Sequence, residues 1–540
     1  MKEIKSFYKT IFGCFAVFCL CWFTAVIVGN VRMSHEQQVS GIKDTDFGAF
    51  LATQHALYVN DFATASAMMK NVHSDLDIVK GCKGIAEFFG GNIPENVDSM
   101  KDDKELITRM IYDAYLIQKN DWKSLYQRHN KENSIVFAPL RIFSSVKQGK
   151  TKEALNFIDS LKTNKSRKAF LRGQIALLNN DKDKAAKEFA EVHPDFMNVN
   201  DYLYLMSFYK ENGMTEDMDI LRNDFGANPD GMFVLTWQDI PDWSNYSGLK
   251  NNLVFSIVQT VAHTHIMFFT DLSLMLLRFA ESISDGAEKN AINYYLGQYY
   301  IYNSGDYEKS FNKIPKNHPL YLFGRMKIAE KTGDFKEIEK IAYKNPLFIN
   351  ASKAVIIENI KKGRESDALL VIHRALRHKD LTNMGRAYFL KQRANVYLMF
   401  NRPKRAQKDL DEVLKLDDRM LSDVLLLQAR IWAQQDKNLE EAYDYAMTVV
   451  KRNTSDVVAW GIVGVLVDKR EGIDEALSLM ERVGEISYGT KSSLYEHLGD
   501  LYMKKGYKEK AKKAYSHALD LSGDGLVVIP FVEKKLRKLK

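Results

Sequence analysis

The sequence predicts an all-α chain: a helical-hairpin solenoid in two blocks behind an N-terminal transmembrane or signal-anchor helix. Three observations lead there. Apolar and small residues recur at helical spacing on paired segments along most of the chain. Tight turns carrying Gly or Asn-Asp separate the members of each pair. An uncharged apolar run occupies residues 11–28.

Residues 1–31 read as the anchor. The run IFGCFAVFCLCWFTAVIV, at about 1.5 Å rise per residue, nearly spans a bilayer core. It is long for a cleaved signal, and Ile27-Val28-Gly29 is a weak cleavage site, so an uncleaved anchor is favoured. Cleavage would instead release an exported soluble protein. Lys2, Lys5 and Lys9 place the N-terminus on the cytoplasmic side and the body on the other. Residues 32–46 are polar and read as a tether.

Residues 47–223 form a first, looser block of hairpins. Turns fall at Asn120-Asp121, Gly149 and Asn212-Gly213, and Gly173, Ala185, Phe189 and Val192 mark a fair repeat. Residues 224–252 differ. Gly226, Pro229, Gly231, Pro241 and Gly248 argue against a continuous helix. Trp237 and Trp243 within it either cap the exposed end of a solenoid or belong to a binding loop.

The second block covers residues 253–525. Its strongly apolar start, 253–282, resolves into a buried repeat turning near Thr270-Asp271. His263 and His265, two residues apart, face different sides of a helix and do not make a metal-binding pair. Later turns fall at Gly305, Gly333 and Gly363. The clearest hairpin is SSLYEHLGDLYMKKGYKEKAKKAYSHALDLSG, 492–523. Leu498, Gly499 and Tyr502 share one face of its first helix, Gly506-Tyr507 turn the chain, and Ala511, Tyr515 and Ala518 face inward from its second. Gly499 lets the two helices approach closely, and one such hairpin cannot bury its apolar stripe without a stacked neighbour. Residues 526–540 form a basic capping helix.

The 492–523 hairpin resembles a tetratricopeptide (TPR) repeat, with Leu-Gly-x-x-Tyr on the first helix and Ala, Tyr and Ala on the second. The layout resembles bacterial envelope-associated TPR proteins, whose final repeat is matched by HLGDLYMKKGYKEKAKKAYSHAL, 497–519. The resemblance implies a non-enzymatic, membrane-anchored scaffold for protein–protein interactions in the cell envelope, at a bacterial inner membrane with a periplasmic body. Two other functions stay open: a cytosol-facing receptor for chaperone or import clients, and a non-catalytic subunit that positions an enzyme. Some TPR domains grip a peptide carboxylate with Lys and Asn on successive first helices. Lys391 and Asn395 match one rung, but the next first helix offers Leu426, Leu427 and Arg430, so the remainder of that clamp is missing.

Composition agrees with a folded helical body: 540 residues, 46% apolar and 27% charged. A net charge of +7 is mild for this length and does not indicate nucleic-acid binding. Of four cysteines, Cys82 alone lies in the body, where it reads as a small core residue. No phosphate-binding Gly loop, HExxH, GxSxG or kinase signature occurs, so no catalytic residue, metal site or cofactor is assigned.

Two surfaces suggest binding. A basic stretch after residue 360 is either a solvated face or a site for an acidic segment or anionic lipid head groups. The apolar stretch 457–467 is either a buried helix or part of a hydrophobic peptide groove. The candidate partner-binding residues are Arg374, Arg377, Lys391, Arg393, Asn395, Arg402, Arg405 and Trp460, and the expected ligand is a protein or peptide.

Overall fold

The computed structural model describes residues 44–74, 77–95, 97–102, 105–226, 229–234, 240–263, 271–286, 288–303, 305–416, 421–486 and 491–539. Among these residues every regular element is a helix, and successive helices pair as hairpins.

The hairpin turn has a repeated chemistry. Asn60, Asn120 and Asn180 take left-handed backbone angles, with φ of 57°, 57° and 59°. Asn tolerates this region better than most residues with a Cβ. The next residue is Asp each time, and Asp61, Asp121 and Asp181 cap the second helices by accepting the N–H three residues on, at 3.2, 3.0 and 3.1 Å. Close packing within a hairpin needs an absent side chain. Gly173 lies against the ring of Phe189 and Gly499 against that of Tyr515, so near that a Cβ would collide.

The helices gather into two compact units: the described residues up to Met214 with Ile240–Ile328, and Thr215–Asp239 with Ala329–Lys540. In the first unit, the helices Leu249–His263 and Asp271–Ile283 form a hairpin that lies across earlier first helices. Leu249–His263 packs on Ala138–Lys147 and Lys165–Leu178, and Asp271–Ile283 packs on Asp77–Phe89 and Leu106–Gln118. The crossing helix is buried from Asn252 to Ala262. Its polar residues Asn252, Ser256, Gln259 and His263 share one stripe, and each finds a partner. Asn252 Oδ1 accepts from Tyr204 at 2.6 Å and from Gln174 at 3.1 Å; Ser256 donates to Gln174 Oε1 at 2.8 Å. Gln259 accepts from Asn198 at 2.7 Å, and His263 bonds Asp201 at 2.9 Å.

In the second unit, Ala394, Ala429, Gly464 and Gly499 recur at an interval of 35 residues on successive first helices. These helices, Asn383–Met399, Leu421–Gln435, Val457–Arg470 and Ser492–Lys504, pack on one another along one face. The last helix, Ile529–Arg537, buries Val532 against the final hairpin. The stretch 224–252, read as irregular, carries the short helix Pro229–Val234, which packs on Ile349–Lys361 with Phe233 edge-on to Phe348 at 5.1 Å. Proline suits a helix's first turn, where its missing N–H loses no bond. Trp243 packs edge-on against Tyr204 at 5.2 Å, while Trp237 lies outside the described residues.

No helix among the described residues is long and apolar enough to cross a membrane. The expected span, 11–28, lies outside the described residues. The strongly apolar helix Leu249–His263 has 15 residues, short of the roughly 20 that a bilayer core requires.

Candidate functional site

The inner face of the second unit is built by its first helices. Because these helices pack on each other more closely than the successive second helices do, their exposed edges form the concave side. One residue beyond the Ala/Gly positions, the same interval sets Asn395, Arg430, Val465 and Asp500 in a row, and Lys535 of the last helix continues it.

Asn395 Oδ1 accepts from Arg430 Nη1 at 3.2 Å, and Met399 Sδ lies 3.1 Å from Arg430 Nη2. Burial pushes the Arg430 guanidinium down, with Glu496 opposing that shift. His497 is likewise pushed down, first by burial. Lys535 donates to Glu496 at 2.8 Å and to Asp500 at 2.7 Å. Its burial is outweighed by those two carboxylates, which raise it. Tyr515 donates to the other oxygen of Asp500 at 2.7 Å. One end of the row therefore presents the donors of Asn395 and Arg430, while the other end is closed by an ion-pair cluster.

The residues singled out from sequence do not converge. Arg393 makes a two-pronged pair with the buried Asp409 at 2.8 and 2.6 Å. Arg402 pairs with Glu365 at 2.7 Å. Arg374 donates to the Tyr343 carbonyl at 3.2 Å and lies over that residue's ring. Arg405 lies over Tyr397 at 5.8 Å and Lys391 over Tyr388 at 5.8 Å. Arg377 is exposed at the end of Glu365–Leu376. Trp460 is half-buried, its indole N–H donating to the Thr454 carbonyl at 3.0 Å. Much of the basic stretch is thus engaged within the chain, with Lys361 and Lys362 both on Glu358. The helix Val457–Arg470 buries Ile462, Val463, Leu466 and Val467 in the core of the unit.

Asn395 and Arg430 are the two that the fold joins. Arg430 is not among the residues singled out from sequence; its 35-residue offset from Asn395 is the signal that marks it. Among the described residues, no group of three or more His, Cys, Asp or Glu is placed to hold a metal ion.

Residues 394–540 match the family described as Tetratricopeptide repeat-like domain. Among curated proteins, the chain is similar to "Protein STIP1 homolog" of Dictyostelium discoideum, 31% identical over 116 residues, covering 20% of each chain. The match thus spans about a fifth of that relative's length. Among solved structures, it is similar to "Crystal structure of APC/C hetero-tetramer Cut9-Hcn1" with a TM-score of 0.30 and 13% identity, covering 92% of this chain and 96% of that one. The expected placement in a bacterial inner membrane with a periplasmic body is corrected. No described helix can cross a membrane, and the matched relative is the Dictyostelium protein. The shared interval, the Gly-aromatic packing within hairpins and the family match lead to one statement: residues 394–540 form a tetratricopeptide repeat-like domain.

Proposed function

We propose that this chain is a non-catalytic scaffold for protein–protein interaction, and that the inner face of its second unit receives an acidic segment of a protein partner. The observation that carries the reading is Arg430. It is half-buried on the concave face, bonded to a neutral amide rather than a carboxylate, and its charge is poorly solvated. A carboxylate arriving there gains charge-assisted hydrogen bonds and offsets that desolvation. Arg393 and Arg402, by contrast, are held in pairs and serve the fold.

The test is selection of displayed random peptides on the full chain, followed by titration of the enriched sequences. Enriched peptides are expected to carry Asp or Glu and to bind Arg430→Gln about tenfold or more weakly. Enrichment without acidic residues, or equal binding by a folded Arg430→Gln variant, would sink the assignment.

A further inference from the structure

The first unit contains a small cavity that the repeat architecture does not require. It lies where the helix Lys165–Leu178 begins, beside the crossing helix Leu249–His263. Its volume is about 80 Å³. Ala138, Pro139, Ile142, Leu161 and Leu171 supply an apolar wall, and Arg167, Gln259 and His263 supply the polar lining. A second, narrower hollow shares Asn164, Arg167 and His263 with it.

Two donors here are underused. Arg167 gives one hydrogen bond, from Nη2 to the Ser256 carbonyl at 2.8 Å. The opposing charge that acts on it is Asp201, already bonded to His263 at 2.9 Å. Burial pushes the Arg167 guanidinium down to about 10, the mark of a cation short of compensation. Gln259 is fully buried; its carbonyl accepts from Asn198 at 2.7 Å, while its Nε2 donates to nothing. A buried donor left unpaired costs about 1–3 kcal/mol, so an acceptor arriving there has a free-energy gain to collect.

We propose that this cavity binds a short aliphatic carboxylate, its oxygens on Arg167 and Gln259 and its arm against Ala138, Ile142 and Leu171. The planar guanidinium matches a carboxylate, and the single cation with its apolar wall suits that group better than a phosphate dianion. The arm is short. A cavity of roughly 150 Å³ holds the six carbons of benzene, so this one admits about three carbons. A free acid and the C-terminal residue of a peptide share this chemistry.

Titration of the full chain with propanoate, propanamide, and a short acetylated peptide ending in alanine with a free or amidated terminus tests the site. Ligand-observed NMR is the readout. The acids should bind saturably and the amides should not. Arg167→Gln should weaken acid binding about tenfold or more. Ala138→Leu, which fills the cavity and leaves Arg167 in place, should also abolish it; it decides the matter if the Arg167 variant melts early. Tighter binding of the peptide identifies a protein terminus as the source, and tighter binding of the free acid identifies a small molecule. Absence of saturable acid binding, equal binding of amide and acid, or unchanged binding in both folded variants overturns the proposal.

Discussion

In the first unit, the first helices of the early hairpins are covered by a later hairpin of the same unit; in the second, the first helices keep a lined concave face. The crossing helix Leu249–His263 hydrogen-bonds to Gln174, Asn198, Asp201 and Tyr204. The second unit leaves Asn395 and Arg430 on its inner face, and its C-terminal segment reaches back to Ile357, Gly363 and Phe400. The same building block therefore yields a filled core or a lined surface, according to whether the chain supplies its own occupant. The energetic consequence differs too. A stack of repeats joined only to neighbours unfolds piecemeal, whereas a hairpin tied to several distant helices links them into one cooperative body.

The largest expected effect tests that link. Phe255 is fully buried, stacked on Phe170 at 5.2 Å and packed on Tyr204 at 4.5 Å. Phe255→Ala should cost about 3–5 kcal/mol, and Leu466→Ala in the second unit about 2–5 kcal/mol. Hydrogen exchange resolved by peptide separates the two. Phe255→Ala should lower protection together in Lys165–Leu178, Val199–Glu211 and Leu249–His263, while Leu466→Ala should affect its own hairpin and the adjoining ones. Loss confined to Leu249–His263 in the first variant would break the comparison.

A smaller effect comes from Glu288, buried in the first unit and bonded to Asn200 at 2.7 Å. Burial, helped by the charge of Asp201 and opposed by the Asn200 bond, raises its carboxyl to about 7. The unfolded carboxyl ionises near 4.3. Between those values the unfolded chain binds fewer protons than the folded one, so stability falls as pH rises and the loss is complete above about pH 7. Glu288→Gln keeps an acceptor for Asn200 and removes the titration. It should be more stable than the parent at pH 8 by about 1–2 kcal/mol and nearly equal to it near pH 4.5. Urea titrations at the two pH values, with pulse labelling of Val199–Glu211, give the answer; a difference independent of pH contradicts it.

Much of this contrast was hidden in one dimension. The hairpins were legible because Gly, Asn-Asp and small residues mark turns and close contacts locally, as at Asn120-Asp121 and Gly499. The stretch 253–282 showed only its greasiness. Its polar stripe, Asn252, Ser256, Gln259 and His263, gains meaning from Gln174, Asn198 and Asp201, each 61 to 82 residues before the stripe residue it bonds. The basic residues misled for a related reason. Arg393 looks available until Asp409, on the next helix, folds against it. A list of charges does not reveal which are already neutralised, whereas a repeat interval, as between Asn395 and Arg430, does reveal which can meet.

The smallest effect concerns a place where the C-terminal segment of the second unit touches its earlier hairpins. Phe531 lies edge-on to Phe400 at 5.9 Å and stays 44% exposed, while Val527 and Val528 beside it are buried. Pro530 lies against the Gly363 turn, and Gly525 lies so close to Ile357 that a Cβ would collide. Phe531→Ala removes one aromatic pair and little burial, so the expected cost is about 0.5–1.5 kcal/mol. Its value lies in where the cost falls. If the segment braces the unit, exchange should rise in Ile349–Lys361 and Asn383–Met399 as well as in Ile529–Arg537. If exchange rises in Ile529–Arg537 alone, the segment only covers the last hairpin. The C-terminal hairpins of the second unit would then form a nearest-neighbour stack, in contrast with the cross-linked first unit.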